Sequence, residues 1–174
     1  MSTGCAGGLI AHAAPGDLAI ASCAVDDATG EQYATDPSLS ERADRLARAA
    51  GLAVRRGPIV CVADAFTSSA AKQAAAARGQ VAVEMEGAPI AASAAAAGIP
   101  YLSVRAILDD ADTELRAGGF VDGATGRVNP LTLVTYVARR PAAVGELLAM
   151  QRMMQAAEDS LAAFFRRWFA VHAT

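Results

Sequence analysis

The stretch VAVEMEGAPIAASAAAAGIPYLSVRAI, residues 81–107, decides the fold class of this chain. It opens with a short β-branched run, Val81 to Val83, which is typical of a buried strand. An alanine-rich segment from Glu86 to Ala97 follows and stops before Gly98, as helices commonly do. A second apolar run, Tyr101 to Ile107, is again typical of a strand. Strand, helix and strand in this order predict an α/β layer with a largely parallel sheet.

The same alternation extends toward the N-terminus. Apolar runs predict strands at Leu18 to Val25 and at Ile59 to Val62, the second of which is short and rich in β-branched residues. Helical spacing of apolar residues predicts a helix over Ser38 to Ala50. A further helix is predicted over Ser68 to Arg78, because serine is a favoured N-cap and a glycine follows the last position.

Turns and loops are predicted where glycine, proline and polar residues cluster. The segment Thr3 to Leu9 predicts a turn, because three of its seven residues are glycine. A second turn at Pro15 to Asp17 opens the first strand. Polar loops are predicted at Asp26 to Pro37 and at Asp109 to Asn129.

Two helices are predicted in the C-terminal part, over Pro130 to Ala138 and over Ala142 to Phe169. The second helix carries a stripe of leucines, methionines and aromatic residues beside several arginines. Packing in the core or against another subunit usually explains such a stripe, but a basic amphipathic end containing Trp168 is also typical of a peripheral membrane contact. No internal repeat is apparent, so residues 1–174 are predicted to form a single domain.

Composition argues against several classes of protein. Of the 174 residues 53% are hydrophobic, which argues against disorder. The net charge is −3, so the sequence lacks the excess of positive charge that is typical of nucleic-acid-binding proteins. The cysteines Cys5, Cys23 and Cys61 are widely spaced and predict neither a disulfide framework nor a zinc site. Unpaired cysteines fit a reducing cytoplasm, and no basic segment precedes the small residues at the N-terminus, so a secretory signal is not expected. His12 and His172 have no partners at the spacing of a metal site, so no metal is expected.

Chemistry-bearing residues follow the predicted strands. Ligands of open parallel sheets bind beyond the carboxyl ends of the strands, and four segments qualify there: Gly4 to Gly8, Asp64 to Phe66, Glu84 to Glu86, and Asp109 to Asp112. Each segment also has a purely structural explanation. The glycines would form a turn, Phe66 would belong to the core, the two glutamates would interact with the dipole at a helix N-terminus, and the aspartates would form a solvated loop. The coincidence of all four at strand ends favours a binding site.

Two of these segments carry a family resemblance. Val83-Glu-Met-Glu-Gly-Ala88 and Val104-Arg-Ala-Ile-Leu-Asp-Asp-Ala-Asp112 resemble the nucleoside phosphorylase and nucleosidase superfamily, which includes the methylthioadenosine/S-adenosylhomocysteine nucleosidases. The glycine-rich segment near Gly4, the Pro15 turn and Asp64-Ala-Phe66 are similar to the same superfamily. The resemblance implies a three-layer α/β/α fold with a central mixed, largely parallel sheet, lacking its first strands.

A narrower resemblance concerns one branch of the superfamily. Tyr33-Ala-Thr-Asp-Pro37 and Arg139-Arg-Pro141, the latter followed by a long helix, are similar to the hopanoid-associated phosphorylases.

The superfamily resemblance implies a role for each residue of the motifs. Asp109 would protonate N7 of a purine as the glycosidic bond breaks, because a purine anion is a poor leaving group. Such an acid must hold its proton near neutral pH, which requires a raised pKa. Glu86 would bind the ribose hydroxyls and stabilise positive charge on the sugar. The other implied contacts are Met85 against the sugar, Phe66 stacked on the purine, and the backbone of Cys5, Ala6 and Gly7 along the sugar side of the pocket.

Several positions depart from the family pattern. Leu108 stands where many relatives have serine before the aspartate, and Cys5 stands where serine commonly follows the first glycine. The loop after Val25 lacks the Tyr-His pair of methylthioadenosine nucleosidases, which implies a different 5′ substituent. Family members begin with further strands and a helix before the glycine-rich segment, and these carry a phosphate-binding loop or a water-activating glutamate. The sequence before Gly4 offers neither feature, so the resemblance assigns no nucleophile. Hydrolysis and phosphorolysis both stay open, with phosphate as the co-substrate of phosphorolysis and no other cofactor expected.

The sequence leaves three functions open. The first is an enzyme that cleaves a purine nucleoside and releases adenine, for which adenosylhopane of hopanoid biosynthesis would suit the departure in the 5′ region. The second is a methylthioadenosine/S-adenosylhomocysteine nucleosidase. The third is a truncated, catalytically impaired paralogue that binds a purine or serves in assembly. Relatives assemble with neighbours contributing to active sites, so a homodimer or larger homo-oligomer is expected.

Overall fold

One mixed sheet organises the molecule. The computed structural model describes residues 1–64, 66, 68–111 and 143–170. The strands in this part of the chain are β1 (Ser2–Gly8), β2 (Leu18–Asp26), β3 (Gln32–Ala34), β4 (Val54–Cys61), β5 (Ala82–Glu84) and β6 (Ser103–Ile107). The helices are α1 (Pro37–Ala49), α2 (Ser69–Ala77), α3 (Gly87–Ala96) and α4 (Ala143–Ala170).

The sheet closes on itself through β2. Its strand order is β3-β2-β4-β5-β1-β6, and β2 also pairs with β6, so that five strands form a ring with β3 attached outside it. The pairs β1–β6, β2–β4 and β4–β5 are parallel, while β1–β5, β2–β3 and β2–β6 are antiparallel. The predicted α/β fold with a central mixed sheet is confirmed.

A register shift in β2 allows this closure. Leu18 to Ile20 pair with β6, whereas Cys23 to Val25 pair with β3, and the pairing with β4 is irregular between Ala21 and Ala24. The irregularity leaves Pro58 of β4 without a ladder partner on β2, which is where a strand tolerates proline.

Small side chains fill the inside of the ring. One buried cluster takes residues from all five ring strands, and most of its members are alanine. They are Ala6, Ala13, Ala19, Ala21, Ile59, Ala82 and Ile107. A ring of only five strands has little interior volume, so larger side chains would not fit.

The larger apolar side chains pack outside the ring, between the sheet and two helices. Leu18 and Ile20 of β2 contact α1 and α4, and Phe164 and Trp168 of α4 belong to the same buried cluster. The guanidinium of Arg42 lies 4.4 Å from the Trp168 ring centroid. Core packing therefore accounts for these two aromatic residues. In the described part of the chain, no helix combines the length and the apolar character needed to cross a membrane.

Most predicted elements agree with the structure to within a few residues, but three predictions are wrong. Thr3 to Leu9 is not a turn: Ser2–Gly8 is strand β1, in which the glycines let neighbouring groups approach the backbone. The loop predicted over Asp26 to Pro37 contains β3. The strand predicted at Ile59 to Val62 begins already at Val54, because the register shift accommodates the proline.

Some predictions lie outside the described residues. These are the loop beyond Ala111, the helix over Pro130 to Ala138, and the motif Arg139 to Pro141.

Candidate functional site

A cleft of about 380 Å³ lies where β1, β5 and β6 meet the turn after β4 and the start of α2. The six residues that the sequence predicts to bind substrate all line this cleft. They are Cys5, Ala6, Gly7, Phe66, Met85 and Glu86. Segments that are distant in the chain, from Cys5 to Glu86, thus converge on one concave surface, as a ligand site requires.

Asp109 lies behind the wall of this cleft. Its side chain is fully buried and follows β6, and a Cβ placed at Gly7 would lie 3.2 Å from Oδ1 of Asp109. Gly7 therefore lets the carboxyl approach the cleft from behind β1. Oδ1 has no hydrogen-bond partner among the described residues, whereas Oδ2 accepts a hydrogen bond from Nζ of Lys72.

Burial raises the pKa of Asp109 above its usual value, because the charged form loses its hydration. The hydrogen bond and the positive charge of Lys72 act in the opposite direction, and so does the backbone N–H of Gly8. The charge of Asp110 adds to the raising effect. A raised pKa with one unpartnered oxygen is the condition under which a carboxyl group can donate a proton.

Lys72 enters the site from the first turn of α2. Ser68 caps this helix, since its hydroxyl accepts a hydrogen bond from the Ala71 N–H at 3.3 Å. The cap fixes the helix so that the Lys72 side chain, 1% exposed, reaches Asp109 and also donates to the carbonyl oxygen of Asp110 at 3.0 Å. Lysine is rarely buried to this extent unless it is paired.

Glu84 and Arg105 form a buried ion pair beneath the cleft. Nη2 of Arg105 donates to Oε2 of Glu84 at 2.6 Å and to the Ser2 hydroxyl at 2.8 Å. The Glu84 carboxylate also accepts from the backbone N–H groups of Glu86 and Gly87, the latter at 2.8 Å, and so caps the N-terminus of α3. Glu84 is thus a structural residue that fixes the start of α3.

Met85 and Glu86 stand at the rim of the cleft. The Glu86 side chain is 72% exposed and its Oε2 lies 3.7 Å from Nη1 of Arg105, while Met85 is 53% exposed. The two glutamates of the motif therefore have different surroundings: both line the cleft, but the Glu84 carboxylate is buried in its ion pair, whereas the Glu86 carboxylate is exposed at the rim. Phe66 packs against the apolar cluster around Val60 and also lines the cleft, so both interpretations of this residue apply.

Cys5 lines the cleft without the properties of a nucleophile. Burial raises the pKa of its thiol above the usual value, and the charge of Glu158 raises it further. The thiol is therefore protonated at neutral pH. Among residues 1–64, 66, 68–111 and 143–170, no group of three or more His, Cys, Asp or Glu side chains is arranged to hold a metal ion.

Sequence analysis assigned no role to Lys72 or Arg105. The signal for Lys72 was present, because it is the single lysine of a chain whose other basic residues are all arginine, and it lies on the alanine face of a short helix. Arg105 stands in the middle of an apolar strand, where an ionised side chain is stable only with a buried partner.

The family profile of the phosphorylase superfamily matches residues 1–129. No curated protein sequence matches the chain. Among solved structures, the 5′-methylthioadenosine/S-adenosylhomocysteine nucleosidase of Campylobacter jejuni is 19% identical, with a TM-score of 0.65 over 97% of this chain and 66% of that one. A Helicobacter pylori mutant of the same nucleosidase, with 5′-methylthioadenosine in its active site, is 20% identical, with a TM-score of 0.63 over 94% of this chain and 66% of that one.

A mutant of futalosine hydrolase from Helicobacter pylori is 24% identical, with a TM-score of 0.55 over 60% of this chain and 55% of that one. At these identities the structural likeness shows a shared fold. This chain spans 55% to 66% of the length of these three structures. Because the family profile matches well over half of the chain, the protein belongs to the phosphorylase superfamily.

Proposed function

We propose that this protein cleaves the N-glycosidic bond of a purine nucleoside and releases adenine. The observation that supports it most is the buried Asp109 carboxyl, with a raised pKa and an unpartnered oxygen beside Gly7 of the cleft. Membership of the phosphorylase superfamily and the names of the structural neighbours support a glycosidic bond as the target.

The proposed reaction begins with the leaving group. As the bond between C1′ of ribose and N9 of the purine breaks, its electron pair moves onto the purine, and Asp109 donates its proton to N7. The base then departs as neutral adenine rather than as an anion, which lowers the barrier. Phe66 offers a flat apolar surface for the purine, since it lines the same cleft.

The sugar becomes positively charged as the bond breaks. The Glu86 carboxylate, exposed at the rim and held near Arg105, accepts hydrogen bonds from the ribose hydroxyls and stabilises this charge. Met85 and the backbone of Cys5, Ala6 and Gly7 enclose the sugar. An oxygen of water or of phosphate then bonds to C1′ and gives up its proton to solvent, from which the Asp109 carboxylate takes up a proton again. The nucleosidases and the hydrolase among the neighbours favour water.

The test is the release of adenine, measured by chromatography, from adenosine, methylthioadenosine, S-adenosylhomocysteine and adenosylhopane. Release that requires phosphate identifies phosphorolysis, and release without phosphate identifies hydrolysis. The resemblance to the hopanoid branch favours adenosylhopane, whereas the structural neighbours favour methylthioadenosine.

Two outcomes contradict the proposal. One is the absence of adenine release from every adenosyl substrate. The other is calorimetric binding of adenine with no turnover, which supports a purine-binding protein instead.

The Asp109→Asn variant is expected to lose about 10²- to 10⁴-fold in kcat, the usual contribution of a general acid. Asp159→Asn is the control, because Asp159 is an exposed acid on α4 that does not line the cleft. Its kcat is expected to equal that of the wild type. Equal activity of Asp109→Asn and Asp159→Asn would exclude Asp109 as the acid.

A further inference from the structure

We infer that Lys72 is the positioning residue of Asp109: it holds Oδ2, so that only Oδ1 faces the cleft, and it stabilises the carboxylate left behind when the proton departs. This inference rests on the proposed function, in which Asp109 donates a proton to the leaving purine. Lys72 itself touches no reacting atom in that scheme and acts through Asp109.

The geometry fixes the carboxyl from one side. Nζ of Lys72 donates to Oδ2 of Asp109 and to the carbonyl oxygen of Asp110, which belongs to the same loop. The Lys72 side chain is 1% exposed and that of Asp109 is 0% exposed, so water does not compete for these bonds. One ammonium group thus orients both the side chain and the loop that carries it.

The opposite side of the carboxyl is left open toward the ligand. Oδ1 has no partner among the described residues, and the space between it and the cleft is occupied by Gly7, which has no side chain. Because Lys72 occupies Oδ2, the transferable proton sits on Oδ1. Gly7 lines the cleft, so only backbone separates the carboxyl from a bound nucleoside, whereas the ammonium of Lys72 is bonded to Asp109 and Asp110.

The charge of Lys72 sets the strength of the acid. Within the described residues, the groups that act on the Asp109 carboxyl are Lys72 from α2, Asp110 from its own loop and the Gly8 N–H from β1. Burial and Asp110 favour the protonated form, whereas Lys72 and the Gly8 N–H favour the carboxylate. Without Lys72 the carboxyl would bind its proton too tightly to give it to N7.

The direction of the pH effect follows. Cleavage requires protonated Asp109, so kcat falls as the pH rises through the pKa of Asp109 in the bound complex. Lys72→Gln removes the charge but keeps a hydrogen-bond donor. We call the fall of kcat at high pH the alkaline limb of the profile. In Lys72→Gln we expect this limb to move to higher pH by roughly one unit or more, since a nearby opposite charge shifts a carboxyl pKa by about 1–3 units. We also expect kcat to fall at least about tenfold while KM changes little, because the contact is not with the substrate.

Two further variants separate positioning from general stability. Lys72→Arg keeps the charge and is expected to keep the wild-type pH limb, while kcat falls because the longer side chain displaces the carboxyl. Arg78→Gln removes an exposed cation at the C-terminal end of α2, where it pairs with Asp27, and is expected to change neither limb nor kcat.

The closing experiment is a ¹³C NMR titration of the Asp109 carboxyl in the wild type, Lys72→Gln, Lys72→Arg and Arg78→Gln, beside the kcat profiles. The inference predicts a higher Asp109 pKa in Lys72→Gln alone. It is overturned if the four titrations coincide, or if Lys72→Gln loses stability with no shift of the limb. If Lys72→Gln does not fold, a wild-type kcat in Lys72→Arg overturns the positioning role and a reduced kcat on an unshifted limb supports it.

The titration needs no substrate. If the wild type releases no adenine, the proposed function fails while the Lys72 effect on Asp109 is still measured.

Discussion

Glycine at positions 7 and 8 lets Asp109 lie directly against β1. A Cβ at Gly8 would collide with the carbonyl oxygen of Asp109, and one at Gly7 would lie 3.1 Å from Cγ1 of Val83 and 3.2 Å from Oδ1 of Asp109. The backbone N–H of Gly8 bonds to that carbonyl oxygen at 2.8 Å. The absence of two side chains therefore sets the distance between the acid and the ligand cleft.

Gly7→Ala tests this arrangement. The backbone at Gly7 needs no left-handed conformation, so alanine is accepted locally, but its methyl group crowds Oδ1 and displaces the acid. We expect kcat to fall roughly 10- to 100-fold, since small displacements of a reacting group have effects of that order. Gly145→Ala on α4 is the control, because a methyl group there meets nothing within 4 Å. Equal kcat values for the two variants would contradict the crowding argument.

Three helices in the described part of the chain, α1, α2 and α3, are held at their N-termini by two acidic side chains and one serine. Asp36 caps α1 by accepting from the Leu39 N–H at 2.9 Å, Ser68 caps α2, and the buried Glu84 caps α3 from a position before the helix. The cap on α3 matters for the site, because the residues between Glu84 and the helix are Met85 and Glu86, which form the rim of the cleft.

The Asp36 cap predicts a pH-dependent stability. Hydrogen bonds from the Ser38 hydroxyl and the Leu39 N–H lower the pKa of Asp36 below its usual value. The stabilisation is therefore fully present above the unfolded pKa and is lost as the pH falls through the lowered folded pKa. Urea midpoints of the wild type and Asp36→Ala should differ at neutral pH and converge in acid. Asparagine also caps a helix but does not titrate, so the urea midpoint of Asp36→Asn should depend less on pH. A difference between the wild type and Asp36→Ala that stays the same from neutral pH to acid would contradict the account.

Local signals predicted these helices, while the missed strands depend on distant partners. Helical spacing, N-caps and terminal glycines are properties of neighbouring residues, so α1, α2 and α3 could be placed from the sequence. β1 contains three glycines and β4 contains a proline, and each is a strand only because others pair with it. The pairing of Lys72 with Asp109 spans 37 positions and was invisible for the same reason.

Strand β6 takes part in both the cleft and the core, since Arg105 lines the cleft while Val104 and Ala106 belong to the core beneath α4. Alanines fill the ring, the site lies where β1, β5 and β6 meet the turn before α2, and α4 covers the outer face of β2 and β6 with Phe164 and Trp168. The predicted amphipathic helix thus contributes to the stability of the sheet that carries Asp109.

A matched pair of aromatic residues tests the packing of α4. Trp168 is 8% exposed, and Phe169 beside it is 62% exposed. Trp168→Ala is expected to lower the free energy of unfolding by about 3–5 kcal/mol, the usual loss for a buried aromatic residue. Phe169→Ala is expected to change it by no more than about 0.5 kcal/mol, as for surface positions. Urea denaturation measures both, and equal losses would contradict the assigned faces of the helix.

The central claim is that Asp109 protonates the leaving purine, and a change of leaving group tests it most directly. A 4-nitrophenyl riboside that carries the same 5′ group as the cleaved nucleoside has the same sugar, but its 4-nitrophenolate is a stable anion that needs no proton. The kcat of Asp109→Asn relative to the wild type is therefore measured on this substrate and on the purine nucleoside that the wild type cleaves. The account predicts a loss of about 10²-fold or more on the nucleoside and less than about tenfold on the nitrophenyl riboside. An equal loss on both substrates would contradict it.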